Sequence, residues 1–216
     1  QRGKFATAFS FLKAIKPFIR IGYKEFTQDK SAFNSAMSYT LKRAVTGSGK
    51  EIKIDFDRAL VSMGTLMPVF EGTATVSNHQ MTFNWKDNSG MGNAERTDIA
   101  MVLVYNKDRE AAAYDTEAAL RSDCHAGLQL PEDWQDDELV AYLSFCSTDG
   151  NCVANSICLP ISVIEIPEEE IDVQTESIDT THKRILPDKR KVHQSRITVH
   201  SLSTPPNEIQ TYRCET

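Results

Sequence analysis

From Lys4 onward the apolar positions Phe5, Ala8, Phe9, Leu12 and Ile15 recur at helical spacing, with Lys4, Lys13 and Lys16 off that stripe, which predicts an amphipathic helix. Pro17 is expected to end or kink it, because proline has no N–H for the helical ladder; Phe18–Phe26 reads as a second short segment. Another helix is predicted over residues 31–45. Phe33, Met37, Leu41 and Val45 form its stripe, Ser31 is a suitable N-cap, and Gly47-Ser48-Gly49 stops it. These segments predict an N-terminal helical hairpin whose apolar stripes face a core.

After Gly49 the period changes to two. Ile52, Ile54 and Phe56 alternate with charged residues as in a half-buried strand, and Ala59–Met63 reads as another. Further strands are predicted at Val69–Val76, Gln80–Lys86, Ile99–Asn106, Glu110–Asp115, Ser122–Leu130, Leu139–Ser147 and Val153–Ile164. Asn78-His79 is expected to make a hairpin turn, Asn88–Asn93 a longer loop, and Asp149-Gly150 a tight turn of the primed class. Short strands at this spacing, with no helix-length crossover between them, predict an antiparallel β-sandwich. Met81, Phe83 and Trp85 share one face of their strand, which makes Trp85 a candidate plug between the sheets. Leu139, Ala141, Leu143 and Phe145 likewise share a face.

Two sets of residues carry resemblances. Thr82-Phe83-Asn84-Trp85-Lys86-Asp87 followed by Met101-Val102-Leu103-Val104-Tyr105 resembles strands B and C of fibronectin type III domains. Ala141–Phe145, followed by Asp149-Gly150-Asn151 and Asn155-Ser156, resembles their F–G hairpin. The second set is Gln1–Phe5, Leu12–Phe18, Phe33–Tyr39, Val61–Gly64, and above all Trp85-Lys86-Asp87-Asn88-Ser89-Gly90-Met91-Gly92-Asn93-Ala94 with Leu103–Asn106. With these residues the chain resembles a family of uncharacterised proteins of Gram-negative bacteria, a domain of unknown function, over residues 1–166. That resemblance implies an architecture and no activity. The expected fold is mainly β: an N-terminal helical hairpin, an antiparallel fibronectin- or immunoglobulin-like sandwich, and a polar C-terminal tail.

Charge divides the chain at the same places. Residues 1–50 hold ten Lys or Arg and two acids, residues 51–166 seven and nineteen, and residues 167–216 seven and nine. The expected divisions are therefore a basic helical segment (1–50), a β-sandwich domain (51–166) and a polar, extended tail (167–216). The tail has too little apolar surface to offset the entropy of ordering a separate fold. The basic and acidic zones are expected to dock on each other. The whole chain, 216 residues with 40% hydrophobic and 25% charged residues and a net charge of −6, excludes collagen and a coiled coil. No apolar run is long enough to span a membrane. The chain begins at Gln1 without an initiator Met or a signal-like segment, as expected of a piece of a longer or processed product. Compartment stays open, with a secreted or cell-surface location favoured.

Candidate chemistry is sparse. Cys124, Cys146, Cys152, Cys158 and Cys214 contain no CxxC. Cys146 and Cys152 flank a turn: a five-residue loop lets the thiols face each other, whereas a two-residue turn sets Cys146 opposite Val153. His79, His125, His182, His193 and His200 are too scattered for a metal motif, and there is no HExxH, phosphate loop or nucleophile elbow. Asp87, Ser89, Asn93 and Asp98 fall at positions 1, 3, 7 and 12 of a calcium-loop pattern with Gly92 at 6, but Met91 at 5 cannot ligate. The acidic loop Glu132–Glu138 reads as a solvated loop with Trp134 over the core edge. No catalytic, cofactor-binding or metal-ligating residue is predicted, and no cofactor. The expected function is a non-catalytic interaction or structural module that binds another protein or a glycan; the alternative is nucleic-acid or anionic-surface binding through the basic N-terminal helices.

Overall fold

Helix α1 (Arg2–Ala14) gives way at Ile15 to α2 (Lys16–Gly22). Pro17 sits in the first turn of α2, where a missing N–H is tolerated, so the break falls just before it rather than at it. A 3-10 turn at Lys24–Phe26 follows, then α3 (Ala32–Arg43), capped by the Ser31 hydroxyl accepting from Asn34 N at 3.2 Å. The computed structural model describes residues 2–28, 30–49 and 51–163. These belong to one compact unit, Gln1–Glu169; the tail expected over 167–216, with Cys214, lies outside the described residues.

The predicted helical stripes are met in part: Ala8, Leu12, Ile15 and Met37 are buried and Phe33, Leu41 and Val45 pack against the core, but Phe5 and Phe9 turn outward. In α1 the core side is Ala8, Phe11 and Leu12, followed by Ile15, while Phe5 and Phe9 stand 53% and 42% exposed. In α3 the fully buried residues are Ala32, Ala36, Met37 and Thr40, and Phe33 and Leu41 of the predicted line flank them, half-buried. Helix α3 also stops at Arg43, and Val45 leaves it to form β1 (Val45–Thr46) against β2 (Lys53–Ile54). Ala8, Ala32 and Ala36 on the inner faces let the helices approach closely, and Phe11 and Phe18 fill the core beside them.

The strands form two four-stranded sheets beside the β1–β2 ribbon. One has the order β10-β3-β4-β7: β3 Phe70–Ser77, β4 Gln80–Lys86, β7 His125–Gln129 and β10 Ile161–Val163. The other has the order β6-β5-β8-β9: β5 Ile99–Asn106, β6 Ala111–Leu120, β8 Leu139–Cys146 and β9 Ile157–Leu159. All pairs are antiparallel except β10 with β3. Asn78 and His79 both take positive φ, 47° and 58°, as a primed hairpin turn demands.

Several predicted strands are redrawn. Ile52–Phe56 contributes only the two residues of β2, and Phe56 turns inward against Phe11 and Tyr105, with ring centroids 5.7 Å and 5.6 Å away. Ala59–Met63 is no strand. It is an inserted linker in which Ser62 Oγ bonds Ser144 Oγ at 2.6 Å and Val61 N donates to Ser156 Oγ at 2.9 Å. The start of Ser122–Leu130 is a 3-10 turn at Arg121–Asp123 with Cys124 at φ 62°, because Arg121 is drawn into the core. Val153–Ile164 breaks at Pro160, which cannot donate to a ladder, and changes sheets there. At the Ser147–Cys152 loop, Gly150 N bonds Ser147 O with only Gly150 at positive φ, so this is not a primed turn. Cys146 pairs across the ladder with Val153, and Cys124, Cys146, Cys152 and Cys158 are free thiols.

The core has two compartments. Met81, Phe83 and Trp85 of one sheet meet Val102, Val104, Leu143 and Phe145 of the other. The opposite faces of β5 and β8, through Met101, Leu103, Tyr105, Val140 and Tyr142, pack under the helices against Phe11, Leu12, Ile15 and Phe18. Strands β5 and β8 are thus covered on both sides, the situation that unbroken apolar runs such as Met101–Tyr105 signify.

Candidate binding groove on the helical layer

The loops that looked most like sites are structural. Asp98 is 1% exposed and its Oδ2 accepts from Arg121 Nε at 2.9 Å; Arg121 is fully buried. Arg121 also donates to Asn88 Oδ1 (2.6 Å) and Met67 O (3.0 Å), and its guanidinium lies 3.8 Å from the centroid of the Phe145 ring. Trp85 Nε1 donates to Arg121 O at 2.7 Å, and the Trp85 ring meets Phe145 edge-on. Burial pulls the guanidinium pKa down, and the Asp98 carboxylate opposes this. Asn93 spends its side chain on Met67 N and Thr65 O, and Asp87 accepts from Ser89. The calcium-loop pattern is therefore taken up in folding, position 12 by an ion pair.

The acidic loop is likewise engaged. Arg109 donates to Asp133 Oδ2 (2.6 Å) and Asp137, Asn106 Nδ2 donates to Asp137 Oδ2 (2.7 Å), and Lys107 pairs with Glu138. Those bonds, Asn106 first, hold the Asp137 carboxyl below its ordinary pKa. Trp134 is buried at the edge of the core as expected. His79 contributes its backbone carbonyl, to Leu130 N and Gln129 Nε2. Cys158 lines a cavity of 900 Å³ beside Asp57, but burial pushes its thiol up to about 12, far from a reactive thiolate.

A further opening lies on the helices. Between the Lys24–Phe26 turn and α3 runs a groove of 430 Å³. Helix α3 presents Ser35, Ser38, Tyr39 and Lys42 to it, residues spaced along one helical face, and Arg43 adds a second cation. Ser35 Oγ donates to Phe26 O at 2.8 Å, and Tyr39 OH to Arg58 O at 3.3 Å, which secure two walls. Phe26, 42% exposed, and Met63 supply apolar surface. Glu25 also borders the groove, but its carboxylate is bound by Thr65 N, Thr65 Oγ1 and Val153 N at 2.7–3.1 Å. Lys30, Lys42 and Arg43 are exposed and make no ion pair among the described residues. The arrangement suits a ligand with anionic groups and an apolar or ring face.

No described ion pair joins residues 1–50 to the sheets; apolar packing and the Glu25 clasp hold the helical layer, and Arg20 and Lys24 face Glu117 and Asp149 across one opening. Over residues 1–160 the chain matches the model of a family of unknown function, DUF6266. The chain belongs to this family. No curated protein matches it. The family resemblance read from Trp85–Ala94 and Val61–Gly64 falls on the Arg121 cage and on the linker seams, not on the groove. Sequence reasoning missed the groove because its residues come from a turn, a helix and a linker brought together only by folding. The one available signal was the pair Lys42-Arg43 ending a helix without acids.

Proposed function

We propose that this chain is a non-catalytic interaction module: two stacked sheets form a fibronectin type III-like scaffold, and the helical layer presents the binding groove. The scaffold reading is supported by the strand order, in which β4 and β5 stand in different sheets as strands B and C do, and β8 and β9 pair as strands F and G do. Residues 1–50 act in it as the basic, binding segment and 51–166 as its support. The observation that carries the functional reading is the groove itself, with an exposed aromatic face at Phe26 beside Lys30, Lys42 and Arg43. A protein segment or glycan bearing carboxylate or sulfate groups fits those cations, since charge-assisted bonds to Arg and Lys are the strong ones. The engagement of Asp98, Asp133, Asp137 and Glu25 in structural bonds, and the raised Cys158 thiol, support a role without catalysis.

The test is titration calorimetry with polygalacturonate, heparin, poly-glutamate and neutral dextran. The expected result is binding to an anionic polymer but not to dextran, weakened about tenfold by the double variant Lys42→Glu, Arg43→Glu. Equal binding by this variant overturns the groove. The second reading, nucleic-acid or anionic-surface binding through residues 1–50, is favoured by one observation: helices α1, α2 and α3 contain no Asp or Glu.

A further inference from the structure

On α1, away from the groove, Arg2, Phe5, Phe9 and Lys13 follow one another at steps of three, four and four residues, and so lie along one line of the helix. All four are exposed. The Phe5 and Phe9 rings stack at 6.2 Å with a 16° interplanar angle, and Phe9 meets Phe33 of α3 edge-on at 5.9 Å. Phe33 in turn borders a concavity of 360 Å³ with Lys16, Arg20, Ser31 and Ala32. A row of phenylalanines continuous with four cations therefore crosses the outside of the helical layer. From Arg2 to Lys24 the chain has no carboxylate, and none of Arg2, Lys13, Lys16 and Arg20 makes an ion pair among the described residues.

We propose that this face docks on an anionic lipid membrane, with Phe5 and Phe9 entering the interface and the surrounding cations meeting headgroup phosphates. Three considerations select this occupant. At roughly 200 Å² per ring, the exposed parts of Phe5 and Phe9 amount to about 200 Å². A stable protein interface needs on the order of 800 Å² from each partner, so the attraction here is mainly electrostatic. Phe9 is covered by Phe5 on its face and by Phe33 at its edge, which leaves no free pair of rings to stack successive nucleic-acid bases. Screening over about 8 Å at physiological salt lets the carboxylate-free helices attract a surface although the whole chain is acidic. Basic residues beside phenylalanine on a helix are the composition that lies in a membrane interface. This face is separate from the Phe26–Tyr39 groove, so either can fail alone.

The experiment is co-sedimentation of the full chain with phosphatidylglycerol–phosphatidylcholine vesicles and with pure phosphatidylcholine vesicles. Binding is expected to the mixed vesicles only, and to fall as salt is raised. Phe5→Ser, Phe9→Ser is expected to lower binding at least tenfold, and Lys13→Glu, Lys16→Glu by at least fivefold for each cation removed. Lys42→Glu, Arg43→Glu, in the groove, is expected to leave it within a few-fold. A melt of each variant checks folding; if the phenylalanine pair is unfolded, the lysine pair decides. Absence of binding to mixed vesicles, equal binding to neutral ones, or full binding by the lysine pair overturns the proposal. So does tighter binding to a single-stranded oligonucleotide than to vesicles, which assigns the face to nucleic acid.

Discussion

Asp98 and Arg121 form an ion pair of 2.9 Å from which solvent is excluded on both sides, at 1% and 0% exposure. The pair sits at one end of the stacked sheets, where Asn88, Met67 and Phe145 complete the surroundings of the guanidinium. A buried charge is tolerated when it is paired and hydrogen-bonded; each guanidinium nitrogen of Arg121 has an acceptor, and the loss of Asp98 leaves the charge unpaired.

Asp98→Ala is therefore expected to destabilise the protein by about 3–5 kcal/mol in urea denaturation. The double variant Asp98→Ala, Arg121→Met removes both charges and is expected to cost clearly less than the two single changes added together. Strict additivity across this cycle shows that the pair does not act as a unit.

Gly64 lies where the Glu25 clasp meets the linker. A Cβ there falls 2.1 Å from Glu25 Oε1 and 2.3 Å from the Val153 carbonyl oxygen. Gly64→Ala is expected to cost about 2–3 kcal/mol, by overpacking and by displacing the carboxylate that binds Thr65 and Val153. At Gly127 the close neighbour is only the flexible end of Gln80, so Gly127→Ala should stay within about 0.5 kcal/mol. Equal effects in thermal melts exclude the clasp as a structural seam.

Stability is expected to fall at both ends of the pH scale. Hydrogen bonds depress the carboxyls of Asp137, Asp87 and Asp149 (from Asn106, Ser89 and Ser147 respectively). A depressed carboxyl stabilises the fold above the unfolded value, about 3.9, and that contribution is lost as pH drops through the folded one. Burial raises Tyr105 to about 12 from 10.0 and Cys158 to about 12 from 9.0. Their contribution is complete below the unfolded values and is lost as pH rises through the folded ones. Urea midpoints against pH should show this plateau, with the acid limb shallower in Asp137→Asn and the alkaline limb shallower in Cys158→Ala. Unchanged limbs in those variants refute the assignment.

Calcium is expected to leave the melting temperature unchanged, because Asp98 and Asn93 are already bonded and Asp133 and Asp137 hold Arg109. A rise of several degrees in millimolar calcium, reversed by chelator, exposes a site at Asp87 or Asp133.

The sequence by itself determined the local order of this protein. Period-two alternation placed Gln80–Lys86 and an unbroken apolar run placed Ile99–Asn106 at their observed ends, and Asn78-His79 marked its turn, because strand faces and turn residues are chosen by neighbours a few positions away. Burial of Trp85 and Phe145 was legible for the same reason. Only the tertiary structure decided what depends on distant partners. Helix phase is one case: the spacing in α1 suits Phe5 and Phe9 as core residues, but Phe11 fits between Tyr105 and Phe56 and turns them outward. Arg121 is another, for an arginine ending a strand reads as solvent-facing until Asp98, 23 residues away, and Asn88 are folded around it. The groove belongs to the same class. Phe26, Tyr39 and Met63 come to line one groove only because apolar packing and the Glu25 clasp lay the helices on a sheet buried on both faces.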